Sequence, residues 1–324
     1  MHLEVHSVII VPQMKTADML VHIRQGDPVA LAKAITMVEN RKKDYKNLLE
    51  GIYPLPGKAL KIGITGAPGS GKSSLVEKLI AGMKVQGTPI AVLAVDPSSP
   101  LTGGALLGDR LRMIQHSNDP NVFIRSIANR GHLGGLSLST HEIVDLLQAA
   151  GKEIIIIETV GVGQSEVDIV NVADVVLMVL NPDSGDEIQI FKAGIIEIAD
   201  IFVINKADLG GSDNKVGEIK NYFTMAAKTP LIYATSVKED TGISELLAGL
   251  KQFQHEESGR IDEKRARLRR NYVEKIVAER IQDEMRLDPG IEDMLKNAAA
   301  ANPFQLAEKI FQKIKTGGSS DKKN

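Results

Sequence analysis

The stretch GAPGSGKSS, residues 66–74, satisfies the spacing G-x-x-x-x-G-K-[ST], with Gly66, Gly71, Lys72 and Ser73 at the defining positions. Its chemistry follows from the residue types. Gly66, Gly69 and Gly71 let the backbone wrap close to phosphate oxygens and turn its N–H groups inward, with Ala67, Pro68 and Ser70 completing the loop. Lys72 supplies a cation for the β- and γ-phosphates, the Ser73 hydroxyl is a ligand for Mg²⁺, and Ser74 continues the turn into a helix whose N-terminal dipole favours anions. The motif demands a strand before it and a helix after it. The apolar run LKIGIT (60–65) and a helical pattern over about 72–86 supply both.

Working outward, the same alternation continues. Short apolar runs recur at 89–96, 121–126, 153–159, 174–181, 200–205 and 230–235, separated by helical patterns near 137–150, 186–198 and 241–254. Runs apolar on every residue, such as Ile154 to Ile157, suit strands covered on both faces of a parallel sheet. The expected fold is α/β: a P-loop nucleotide-hydrolase architecture with a mostly parallel, doubly wound sheet. Residues 18–50 read as helices, and LLEGIYPLPGKA breaks the pattern with Gly and Pro. An N-terminal helical extension (1–58) therefore precedes a nucleotide-binding domain (59–255). After about residue 256 no strand candidate remains. A long charged helix with a thin apolar stripe (Leu268, Tyr272, Val273, Ile276, Ile281) opens a C-terminal helical region, 256–324. So polar a helix is commonly a solvated surface element, yet its stripe needs a partner surface, for which a second copy of the chain is one candidate. The tail TGGSSDKKN has the composition of a disordered segment.

Bulk composition excludes several classes. At 324 residues, with 43% hydrophobic and 25% charged residues, the chain is an ordinary globular protein. A formal charge of −2 gives no basic footprint for nucleic acid. No apolar run approaches the roughly 18–20 residues that cross a bilayer. The opening MHLEVHSVIIVPQMK lacks a basic leader and a small-residue cleavage site, so it does not read as a signal peptide; an upstream extension ahead of a start at Met14 is the alternative. The absence of cysteine removes disulfides, thiolate metal sites and thiol catalysis, and makes the cytoplasm the expected compartment.

A second motif reads the base. NKAD, Asn205 to Asp208, follows the apolar strand IFVI. The Asp208 carboxylate can accept two hydrogen bonds from guanine N1–H and the 2-amino group, which adenine cannot offer, and a site built on that contact rejects the wrong base strongly. Asn205 is expected to bind the base edge and support the phosphate loop, and the Lys206 stem to cover the ring. Ser236 and Val237, after the run ending in ATS, stand where a third base-contacting loop belongs. On the phosphate side, Asp96 ends the run AVDPSSP, Asp109 follows a glycine-rich stretch, and Glu158 opens ETVGVGQSE where GTP switches usually carry Asp. One hard octahedral cation needs only one or two of these carboxylates directly, so Glu158 can act through a water.

The segments GAPGSGKSSLVEKL, AVDPSSP, GGALLGDRLRM, RGHLGG, ETVGVGQSE and NPDSGDEIQ, in this order, resemble the MeaB/ArgK family. That family comprises GTPases which chaperone cobalamin-dependent acyl-CoA mutases, chiefly methylmalonyl-CoA mutase. The resemblance implies a Mg²⁺ site from Ser73, Asp96, Asp109 and Glu158, a bound GTP or GDP, and nucleotide-sensing switches near 96–112, 158–166 and 181–192. It also implies a homodimer through the C-terminal helices and a role for Lys192 in charge neutralisation during hydrolysis. No glutamine is an obvious positioner of the attacking water; Gln164 and Glu158 are the candidates, beside Lys72 as the phosphate cation.

Two rival readings are weighed against this. A kinase or ATPase of the lysine/arginine/ornithine transport type shares the phosphate loop, but NKAD argues against ATP. A metal-delivery GTPase would carry Cys- and His-rich segments, whereas this chain has no cysteine and seven scattered histidines.

Overall fold

The computed structural model describes residues 14–53, 58–85, 87–97, 116, 119–129, 138–159, 168–182, 195–225, 230–296, 298 and 301–317. Three helices lead: α1 (Thr16–Arg24), α2 (Pro28–Glu39) and α3 (Tyr45–Ile52). The start of α2 follows from its sequence, because the Asp27 carboxylate accepts from Val29 and Ala30 N–H and Pro28 occupies the first turn. Then come β1 (Leu60–Thr65), α4 (Lys72–Lys84), β2 (Ile90–Pro97), β3 (Val122–Asn129), α5 (Leu138–Ala149), β4 (Ile154–Thr159), β5 (Val175–Leu180), β6 (Ile201–Ile204), α6 (Ser212–Tyr222), β7 (Leu231–Ala234), α7 (Ile243–Glu256) and α8 (Ser258–Leu287). Two further helices, α9 (Pro289–Lys296) and α10 (Pro303–Gly317), complete the described chain.

The seven strands form one sheet in the order β3-β2-β4-β1-β5-β6-β7, every neighbouring pair parallel. All seven begin within a residue of the apolar runs of the sequence, and β3 continues past its run (121–126) to Asn129. Period-two alternation explains the isoleucine run in β4. Ile155 and Ile157 enter a cluster with Leu31, Ile35 and Ile143 from α2 and α5, while Ile156 enters the cluster of Leu75, Leu79 and Leu246 on the other face. The N-terminal helices thus share a core with the sheet. A third cluster joins Phe202 and Met178 to Ile219 of α6.

Residues through Lys264 form one compact unit and those from Arg265 onward a second. In the first, the opening turns of α8 are anchored by charge: Arg260 lies 2.9 Å from Asp200, and Lys264 donates to the Asp174 carbonyl. In the second, α9 and α10 pack on each other, and Asp288 caps α9 while pairing with Lys313. Among the described residues no helix is long and apolar enough to cross a membrane.

For the site, the consequence of this topology is the position of β1. It sits between β4 and β5, so its carboxyl end, where the phosphate loop begins, is flanked by the carboxyl ends of both.

Candidate functional site

Two glycines shape the phosphate loop. Gly66 has φ +141° and lies so close to β5 that a Cβ would collide with the Val179 carbonyl oxygen. Gly71 has φ +90°, and a Cβ there would meet the Asn205 amide nitrogen. The loop's carbonyls are held from outside. Lys72 Nζ donates to Gly66 O at 2.7 Å and Ala67 O at 3.1 Å. Lys206 Nζ donates to Gly69 O at 2.7 Å, and Asn205 Nδ2 to Ser70 O at 2.9 Å. With its acceptors engaged on these donors, the loop can present amides to an anion.

On the cation side, Ser73 Oγ donates to Glu158 Oε1 at 2.7 Å, and both residues are buried. Glu158 stands opposite Ile64 of β1 and Ala94 of β2. Thr159 donates to the Thr65 hydroxyl at 3.2 Å, tying the strand end to the residue just before the phosphate loop. Asp96 lies at the carboxyl end of β2, paired in register with Ala128. Asp109, Gln164 and Lys192 fall outside the described residues, and so does the side chain of Asp96. Among the described residues no group of three or more His, Cys, Asp or Glu side chains gathers into a ready metal cluster.

Beside the NKAD segment lies a pocket of about 390 Å³ lined by Gly71, Ser74, Asn205, Lys206, Asp208, Leu209, Val237 and Lys238. Ser236 stands behind it, buried, and donates to Asp208 Oδ1 at 2.6 Å. Thr235 Oγ1 likewise donates to Asn205 Oδ1 at 3.3 Å. The hydrogen bond from Ser236, helped by the Lys238 ammonium 3.8 Å away, holds the Asp208 carboxyl below the usual carboxylate range. An ordinary carboxyl is already ionised at neutral pH, and the lowering extends the range in which Asp208 is an acceptor further into acid.

The structure therefore brings together Gly66 to Ser74, Glu158, Asn205, Lys206, Asp208, Ser236 and Val237 around one end of the sheet. Lys238 and Leu209 also line the pocket and are absent from the motif reading. Lys238 directly follows Val237, so extending the third base loop by one residue would have found it. Leu209 carries no motif signal.

Residues 31–289 match the family described as methylmalonyl-CoA mutase-associated GTPase MeaB. A chain from Pyrococcus horikoshii, which also carries a GTPase name, is 43% identical over 310 residues, covering 92% of this chain and 98% of its own. The GTPase ArgK of Escherichia coli is 37% identical over 250 residues, 73% of this chain and 75% of that one. The mitochondrial methylmalonic aciduria type A homologue of Mus musculus is 36% identical over 323 residues, 90% of this chain and 78% of that one. The crystal structure of an LAO/AO transport system kinase aligns with a TM-score of 0.67 at 26% identity, covering 94% of this chain and 99% of that one.

Proposed function

The chain belongs to the MeaB family of GTPases, and from that membership we propose that its GTP cycle gates cofactor loading on, and protects or reactivates, an adenosylcobalamin-dependent acyl-CoA mutase. Methylmalonyl-CoA mutase is the first candidate, in keeping with the names of the family and of the mouse relative. The observation that carries the reading is the Ser73–Glu158 hydrogen bond. It joins the phosphate loop to the last residues of β4, where the proposed switch 158–166 begins. The other two proposed switches, 96–112 and 181–192, begin at the ends of β2 and β5, and the strand order β2-β4-β1-β5, with β1 leading into the phosphate loop, supports a shared response to the γ-phosphate. A contact made or lost at that phosphate would be felt by all three proposed switches.

Hydrolysis transfers the γ-phosphoryl group to water and breaks its bond to the β-phosphate oxygen, a reaction that depends on placement and charge neutralisation. Lys72 would exchange its loop carbonyls for β- and γ-phosphate oxygens, and the loop amides would hold the remaining charge. Asp208, kept ionised by Ser236, would accept from guanine N1–H and the 2-amino group. Asn205 links the two halves by holding the Ser70 carbonyl while belonging to the base motif.

The residues present fit Mg²⁺. Ser73 uses its proton on Glu158, which leaves its oxygen lone pairs for a hard cation, and a hydroxyl beside a carboxylate is the donor type Mg²⁺ takes. Ser73 and Asp96 would hold it, with Glu158 and Asp109 acting directly or through water. When bound, the ion would neutralise charge on the phosphate oxygens. Glu158 or Gln164 would place the attacking water, with Lys192 adding positive charge. A homodimer through residues 256–324 and a cytoplasmic location complete the proposal.

Turnover of GTP by the full chain, measured with and without candidate mutases of the same organism, tests this reading. The cognate mutase is expected to raise the rate about tenfold or more by ordering the rim segments. A flat response to every mutase would leave the GTPase standing and remove the chaperone role.

A further inference from the structure

We infer that Glu39, in the N-terminal helical layer, is a positioning residue for the metal side of the nucleotide site. The inference rests on the proposed role of Asp96 as a Mg²⁺ ligand. Glu39 is the last residue of α2 and is buried to within 10% of full cover at its side chain. Its Oε1 accepts from the backbone N–H of Ala128 at 3.1 Å, and its Oε2 lies 3.5 Å from the Arg125 guanidinium. Arg125 also donates to Thr36 Oγ1 at 2.9 Å, one helical turn before Glu39 on the same face of α2.

The place of this clamp in the sheet gives it meaning. β3 is an edge strand, and an edge strand presents backbone amides without a ladder partner. The Ala128 amide is one of these, and Glu39 satisfies it. Ala128 is also the register partner of Asp96, and the next pair, Pro97 with Asn129, ends both strands. The carboxylate therefore fastens the outer side of the strand pair whose inner member carries Asp96. One carboxylate holding both an amide and a guanidinium of β3 fixes that strand end in two directions. Without it, the edge amide loses its acceptor and Arg125 keeps only Thr36 of the two α2 side chains it meets, which loosens the end of β3 beside Asp96. The N-terminal layer is also tied to α5, where Arg41 pairs with Glu142.

The experiment measures the affinity of the full-length protein for a non-hydrolysable GTP analogue across a Mg²⁺ titration. Four variants are compared: Glu39→Ala, Glu39→Gln, Arg41→Ala and Asp96→Ala. Loss of a group bonded directly to a metal ligand weakens metal binding by about 10- to 100-fold, and Glu39, acting through the β3 backbone, should fall at the low end. Glu39→Ala is accordingly expected to raise the Mg²⁺ concentration at the half-point about tenfold, with analogue affinity in the absence of Mg²⁺ within about twofold of the native value. Glu39→Gln keeps an oxygen for the Ala128 amide and should restore most of the native half-point. Arg41→Ala, which removes the ion pair between the same helical layer and α5, should lower thermal stability and leave the half-point in place. A native half-point in Glu39→Ala, or an equal shift in Arg41→Ala, overturns the inference. A native half-point in Asp96→Ala overturns the metal role of Asp96, and the inference with it.

Discussion

Asp208→Asn is expected to lower GTP affinity by about 10²- to 10⁴-fold and to create affinity for xanthosine triphosphate in its place. The native carboxylate can receive two donors from guanine, and hydrogen bonds to a charged group contribute about 1.5–3 kcal/mol each. An asparagine amide offers one oxygen and one NH₂, so one guanine donor meets another donor. Xanthine carries a carbonyl where guanine carries the 2-amino group, and that carbonyl accepts from the new NH₂. The exchange is specific to this residue because the Ser236 hydroxyl, bonded to Asp208 at 2.6 Å, can turn to suit either side chain. Competitive displacement of labelled GDP by GTP, ATP and xanthosine triphosphate reads the result. Unchanged GTP affinity in the variant would show that the pocket beside Asp208 does not hold the base.

The second large effect belongs to Lys72. Lys72→Ala is expected to reduce the hydrolysis rate by about 10²- to 10³-fold, the range seen when one preorganised donor is withdrawn from developing charge. Lys72 is buried at the start of α4, and its ammonium already rests on two carbonyls of the loop it serves. It needs only to change acceptors when phosphates arrive, so little reorganisation stands between the empty and loaded sites. GDP should bind more weakly as well, but by less than the loss in rate, because the charge that develops in the transition state is absent from the product. Single-turnover hydrolysis and equilibrium GDP binding separate the two. A variant that hydrolyses GTP within a few-fold of the native rate would remove Lys72 from the chemistry.

Much of this was legible in the residues. The β-strands were readable because both faces of the sheet are covered, which forces unbroken apolar runs such as Ile154 to Ile157 and Val175 to Leu180. The phosphate loop and base motif were readable because each demands particular atoms at fixed spacing. α6 was not anticipated: SDNKVGEIKNY is polar, carries an interior glycine, and buries little beyond Ile219 and Lys215, so its helical period is faint. The placement of Ser236 behind the pocket, on Asp208, could not be read either, since spacing alone does not say whether a loop residue meets the base or a neighbouring side chain. Glu39 left no signal at all. Its partner is a backbone amide 89 residues away, a relation that only the fold creates. The roles of Asp96 at the end of β2, and of Asp109, Gln164 and Lys192, rest on the motif arguments and stand as proposals.

The central claim is that the pocket reports the presence of the γ-phosphate to its rim. Backbone deuterium uptake, compared between the protein bound to GDP and to a non-hydrolysable GTP analogue with Mg²⁺, tests it most directly. Slower exchange in segments 96–112, 158–166 and 181–192 with the triphosphate analogue, and equal exchange in α6 and α7, is the expected result. Identical uptake in all three segments with either nucleotide would contradict the account.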